Sequence, residues 1–215
     1  MASQKEVHFF DNESAFTATT DYSACHSYFD IDIQGKLLGE ATPIYMYWYD
    51  APRRIWQYNP DMKFIIVLRN PIERAFSHWN MESERGFDKL SFWEAITIEE
   101  ERSREALPLQ HRIFSYIDRG YYTEQLRRIW HFFPKRQTLI IKNEELRNSP
   151  NDKLQEVSEF LTIDRFANIE HEEVHSRQYL TSMSDAERDY LKEKFFWEIK
   201  ELESLLDWDC TEWLK

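Results

Sequence analysis

The stretch Phe64-Ile65-Ile66-Val67-Leu68-Arg69-Asn70-Pro71-Ile72-Glu73-Arg74-Ala75-Phe76-Ser77-His78-Trp79 decides the fold. Its first five residues are apolar, largely β-branched and bounded by charges, the pattern of a strand buried on both faces of a parallel sheet. Asn70-Pro71-Ile72-Glu73 then supplies an N-cap, a proline at the first helical position and a glutamate at the third, so a helix starts there. Ala75, Phe76 and Trp79 fit a face packed on the sheet. A strand feeding directly into a capped helix delivers Arg69 to the carboxyl edge of the sheet. There a guanidinium, free N–H groups and the helix dipole converge on one spot, and such a spot binds anions. Ser77, about two turns into the helix, adds a hydroxyl on the same side. The alternative is that Arg69 pairs with a surface acid and Ser77 is incidental.

Working outward, Thr138-Leu139-Ile140-Ile141 repeats the buried-strand pattern, and Val7 to Phe10 reads as a third, less marked strand. Helices lie between and after them. Ser91-Phe92-Trp93-Glu94 and Ser184-Asp185-Ala186-Glu187 are capping boxes, and Ser149-Pro150-Asn151-Asp152 is a near relative. Leu154, Val157, Phe160 and Leu161 recur at helical spacing, as do Tyr190, Leu191, Phe195 and Ile199. The fold class is therefore α/β. No internal repeat, linker or second domain is visible, so residues 1–215 read as one domain.

The 215 residues are enough for a real core, and 42% apolar with 16% aromatic residues excludes disorder. Lys and Arg number 27 against 39 Asp and Glu, a net charge of −12, which repels polyanions and argues against nucleic-acid binding. An acidic or phosphorylated ligand therefore requires a local basic pocket. No apolar run approaches the ~20 residues needed to span a bilayer, and the first six residues are no signal peptide. Cys25 and Cys210 are isolated cysteines, so neither a disulfide scaffold nor a thiolate zinc site is indicated and a reducing, cytoplasmic setting is expected. Only four glycines, Gly35, Gly39, Gly86 and Gly120, are present, too scattered for a glycine-rich phosphate loop.

The run L-R-N-P-I-E-R-A-F-S-H-W resembles the 3′-phosphate-binding segment of sulfotransferases that use 3′-phosphoadenosine 5′-phosphosulfate (PAPS). The resemblance continues in Lys5-Glu6-Val7-His8-Phe9-Phe10-Asp11, Gly39-Glu40-Ala41-Thr42-Pro43-Ile44-Tyr45 and Tyr58-Asn59-Pro60-Asp61-Met62-Lys63. Gly120-Tyr121-Tyr122, Phe132-Phe133-Pro134 and Glu144-Glu145-Leu146 follow in the family's order. The chain is most similar to the bacterial and heparan-sulfate-type branch. That resemblance implies a three-layer sandwich with a central parallel sheet, the P-loop-NTPase-like sulfotransferase fold. It implies Arg69 and Ser77 as ligands of the nucleotide 3′-phosphate, Glu6 as catalytic base and His8 beside it. Residue alternation on a strand would turn Glu6 and His8 to the same side. Ala41 stands where glycan-modifying relatives often carry a lysine. The family's 5′-phosphosulfate loop is not found, so the chain reads as truncated at its N-terminus and its catalysis is expected to be weakened. The surviving 3′-phosphate half-site would then make it a nucleotide-binding fragment, the alternative to an active enzyme.

His171-Glu172-Glu173-Val174-His175 matches the H-E-x-x-H pattern of zinc hydrolases, with few apolar neighbours to support the packed helix that zinc chemistry needs. In the sulfotransferase resemblance the same stretch falls in the loop closing over the nucleotide, where Arg177 reaches the 3′-phosphate; a solvated surface arginine is the alternative. No metal is expected. Glu99-Glu100-Glu101 with Arg102 and Arg104 reads as a solvated helix face, and Phe195-Phe196-Trp197 with Trp208 and Trp213 as core and helix packing. Tyr122 falls near the family's cleft and equally suits a core. The acceptor, small molecule or glycan, is not legible, and the acidic chain favours a small neutral or cationic compound.

Overall fold

In the computed structural model, which describes residues 1–30, 35–169 and 181–215, the apolar run becomes strand β1 (Phe64–Leu68). It pairs in parallel with β2 (Thr138–Lys142), in a register running from Phe64 opposite Thr138 to Leu68 opposite Lys142. These two strands form the sheet among the described residues. Burial on both faces was expected of β1. Ile66 and Leu68 are buried, whereas Ile65 and Val67 remain 42% and 46% exposed, because the narrow sheet is covered on one side only at that strand.

The chain divides into two compact units, Met1–Met62 with Gln125–Phe133, and Lys63–Glu124 with Pro134–Lys215. The second unit holds the sheet. Leaving β1, the chain enters helix α1 (Pro71–Glu84), whose Asn70 cap accepts from the Ile72 amide at 2.9 Å. Ile72, Ala75, Phe76 and Trp79, spaced i, i+3, i+4 and i+7, are all buried. Phe76 meets Phe92 edge-on at 5.0 Å, and the Trp79 indole donates to the Leu90 carbonyl. Helix α2 (Pro150–Leu161) follows Ser149, whose side chain makes no capping bond. Helix α3 (Asp185–Leu206) is opened by the Ser184–Glu187 capping box, and Phe92–Thr97 by the Ser91–Glu94 box. Along α3, Leu191, Phe195, Ile199 and Leu202 are buried, and Arg188 at its start pairs with Glu73 of α1 at 2.8 Å. Of the late aromatics, Phe195 and Trp213 are buried, while Phe196 and Trp197 are exposed.

The first unit has an aromatic core. Phe9, Phe10, Tyr47 and Trp48 are buried, with Phe10 edge-on to Phe9 at 5.3 Å and Tyr22 tilted against Tyr58 at 4.9 Å. The third strand expected at Val7 to Phe10 is not formed. Val7, Phe9 and Phe10 are buried, as their apolarity requires, while His8 is exposed, and φ is +58° at Glu6 and +54° at His8. Left-handed residues cannot join a ladder, so this stretch is a turn packed on the core.

Candidate active site

In the second unit the site begins at Arg69, half-buried at the carboxyl end of β1. Its backbone carbonyl accepts the Tyr122 hydroxyl at 3.0 Å. Tyr122 is buried, as a core tyrosine, and its pKa is pushed up to about 12 by burial, opposed by the nearby Arg74 and Arg69 charges. Among the described residues the Arg69 guanidinium has no hydrogen-bond or ion-pair partner. The adjoining N-terminus of the 14-residue α1 has spent one free amide on the Asn70 cap and has none at Pro71, leaving the dipole and the guanidinium as the positive elements there. Ser77 sits half-buried on the stripe of α1 that also carries Glu73 and Asn80. The segment after α3 is fastened to the same edge. The Asn70 side-chain amide donates to the Trp213 carbonyl at 3.2 Å, and Lys142, ending β2, donates to the Asp209 carbonyl and lies over the Trp208 ring at 5.2 Å.

In the first unit Glu6 and His8 do come together, by a different route from the one expected. The two left-handed residues, and not strand alternation, fold their side chains onto one another, with His8 Nε2 3.5 Å from a Glu6 carboxylate oxygen. Both side chains are a little under half exposed, 43% and 44%. Behind them stands a residue the sequence reading quoted without assigning. The fully buried Asp11 carboxylate lies 3.0 Å from His8 Nδ1. With its proton on Nδ1, the His8 ring donates to Asp11 and turns Nε2 toward Glu6. The signal was present in the sequence as a histidine and an aspartate three residues apart before a turn.

The expectation for Glu99 is overturned. It is buried, and its carboxylate accepts the Ile117 amide at 2.7 Å and the Asp118 amide at 2.9 Å, while Glu100 and Arg104 form the exposed i,i+4 pair. Burial drives its pKa up to about 7 against those hydrogen bonds. Arg102 likewise turns inward, to the buried Asp88 at 2.8 Å, which also accepts the Tyr116 hydroxyl. Arg177, His171 and His175 lie outside the described residues. Among the described residues no group of three His, Cys, Asp or Glu side chains is arranged to hold a metal ion. Cys25 and Cys210 are free and buried, and among the described residues no helix is long and apolar enough to cross a membrane.

The second unit thus presents an arginine at a parallel strand-to-helix turn, and the first unit a carboxylate–imidazole–carboxylate row. The chain belongs to the sulfotransferase domain family, whose model matches residues 5–195. The crystal structure of a sulfotransferase from Alicyclobacillus acidocaldarius is similar over 100% of this chain and 87% of its own, with a TM-score of 0.82 and 26% identity. Heparan sulfate glucosamine 3-O-sulfotransferase 3A1 of Mus musculus is 32% identical over 139 residues, 65% of this chain and 34% of that protein. The bifunctional heparan sulfate N-deacetylase/N-sulfotransferase 3 of Mus musculus is 29% identical over 164 residues, 74% of this chain and 18% of that protein. The chain thus spans about a third or less of the length of these two relatives.

Proposed function

We propose that this chain binds PAPS and transfers its sulfuryl group to an acceptor hydroxyl or amine. The observation that carries the reading is the row in which Glu6 lies 3.5 Å from His8 Nε2 and His8 Nδ1 lies 3.0 Å from the buried Asp11, on residues that resemble the family's base motif. Arg69, half-buried and without a counter-charge among the described residues, suits the doubly charged 3′-phosphate, with the Ser77 hydroxyl as a second ligand. Arg177 is a third candidate from the sequence alone. Glu6 takes the proton from the acceptor as its oxygen or nitrogen attacks sulfur. The bond from sulfur to the bridging phosphate oxygen breaks, and adenosine 3′,5′-bisphosphate leaves with that electron pair. The proton reaching Glu6 meets a second acceptor in His8 Nε2, which Asp11 holds in the required tautomer. Anchoring a remote phosphate orients the reacting sulfur.

The relatives' names point to heparan sulfate, and a glycan hydroxyl or amine is compatible with this chemistry. The charge of the first unit favours a small neutral or cationic acceptor. Six Lys and Arg stand there against nine Asp and Glu, and Arg53, Arg54 and Arg128 are engaged with Asp50, Glu13 and the Met46 and Tyr47 carbonyls. A polysulfated chain would find few free cations around Glu6. The test is transfer of radiolabelled sulfate from PAPS to a panel of phenols, amino alcohols and heparan sulfate, with thermal stabilisation by adenosine 3′,5′-bisphosphate measured in parallel. Transfer lost in Glu6→Gln, and stabilisation lost in Arg69→Ala, are the expected results. A nucleotide shift equal in wild type and Arg69→Ala would remove the phosphate assignment. Stabilisation without transfer to any acceptor would leave a nucleotide-binding protein.

A further inference from the structure

The turn that brings Glu6 and His8 together is held in a conformation its own residues disfavour. Left-handed φ at two non-glycine positions within three residues persists only where the surroundings over-determine it. On the leading side the Glu6 amide donates to the Ala41 carbonyl at 3.2 Å. On the trailing side one oxygen does most of the holding. The Tyr45 hydroxyl accepts both the Phe9 amide, at 2.9 Å, and the Phe10 amide, at 3.3 Å. The Phe10 carbonyl is taken by the buried Arg54 at 3.0 Å, and Arg54 is itself fixed by Glu13 at 2.5 Å and lies over the Phe16 ring at 4.5 Å.

With two amides pointing at it, the Tyr45 oxygen must send its own proton elsewhere; its side-chain partners are Glu40 and Thr42, and Thr42 in turn donates to Glu40 at 2.6 Å. Burial first, and then the Glu40 charge, push the Tyr45 hydroxyl well above its ordinary pKa, so it stays a neutral phenol. Its ring packs edge-on against Phe10 at 5.5 Å. That contact survives removal of the hydroxyl, which makes the two roles separable. Arg54 is enmeshed in the core and offers no such separation.

We infer that Tyr45 is a positioning residue for the Glu6–His8 pair, its hydroxyl clamping the Phe9 and Phe10 amides so that the left-handed turn aims both side chains at one point. The inference rests on the reading of Glu6 and His8 as the proton-handling pair. It is tested with Tyr45→Phe, comparing sulfuryl-transfer kinetics, stabilisation by adenosine 3′,5′-bisphosphate, amide hydrogen exchange at Phe9 and Phe10, and the His8 ring-nitrogen chemical shifts. The expected result is faster exchange at both amides, shifted His8 nitrogens and a kcat lower by at least about tenfold, equivalent to ~1.4 kcal/mol. The donor KM and the nucleotide stabilisation stay within about twofold, since neither Arg69 nor Ser77 is part of the clamp. Faster exchange with unchanged kcat overturns the inference, as does a kcat loss matched by an equal loss of donor binding. Should the wild type itself transfer no sulfuryl group, it is the activity reading that fails. The His8 shifts then decide the clamp: altered in Tyr45→Phe they support it, unaltered they refute it.

Discussion

Gly120→Ala tests whether the second unit is packed around its anion edge as tightly as the structure describes. A β-carbon on Gly120 would stand 2.5 Å from both Cε1 and Cζ of Phe195 and 3.2 Å from Cβ of Pro71. Ordinary carbon contacts are about 3.5–4.0 Å, so the new methyl overlaps the ring by roughly 1 Å. The ring cannot swing away freely. Phe195 is fully buried, Tyr121 packs on it at 5.6 Å, and Leu191 and Ile199 lie one turn to either side on α3. Overpacking of this kind costs about 1–3 kcal/mol. It is offset by the ~0.4–1 kcal/mol that alanine gains by restricting the unfolded chain. For a chain of this size 1 kcal/mol moves the unfolding midpoint by about 2–4 °C, so a net fall of a few degrees is expected in a thermal melt. Pro71 opens α1, directly after Arg69 and Asn70, so part of the displacement passes to the anion edge. Stabilisation by adenosine 3′,5′-bisphosphate should fall with it. A smaller ring should relieve the clash, so Gly120→Ala combined with Phe195→Leu should cost less than the two single changes added. A Gly120→Ala protein as stable as the wild type, with an unaltered nucleotide shift, would refute the reasoning.

Two further predictions concern protons. Glu99 has a folded pKa of about 7 against an ordinary value of 4.5, so between those limits the folded chain binds a proton that the unfolded chain has released. Its contribution therefore makes stability fall as pH rises from about 4.5 to 7 and flatten above. Melts at pH 5 and pH 7.5 should show a larger fall for wild type than for Glu99→Gln, and equal falls would exclude the titration. Asp11→Asn should leave nucleotide stabilisation intact while lowering kcat by more than about tenfold, because an amide permits the wrong His8 tautomer. An Asp11→Asn enzyme with wild-type kcat would mean that the tautomer is immaterial.

What the sequence disclosed was local. The β1 strand, though not its burial on both faces, the Asn70 cap with Pro71 behind it, and the Ser91 and Ser184 capping boxes are read from neighbouring residues and form as expected. The failures are tertiary. Val7 to Phe10 has the apolarity of a strand, and nothing in Glu6 or His8 announces a left-handed backbone held through Tyr45, which grips Phe9 from 36 positions on in sequence. Within Glu99-Glu100-Glu101 the three side chains are chemically identical. Which one is buried depends on amides at Ile117 and Asp118, 18 and 19 residues on. Glu6 and His8 were named from a family pattern, and their contact follows from a turn that no alternation rule could supply.

The tie between the segment after α3 and the ends of both strands has a practical side. Asn70 and Lys142 each grip a backbone carbonyl of residues 209–213, and Trp213 and Cys210 are buried there. A preparation nicked or trimmed by proteases in this stretch would be heterogeneous at the very rim where a phosphate is to be held. Intact-mass measurement of each batch therefore belongs before any titration with nucleotide, since a mixed sample would mimic weak affinity.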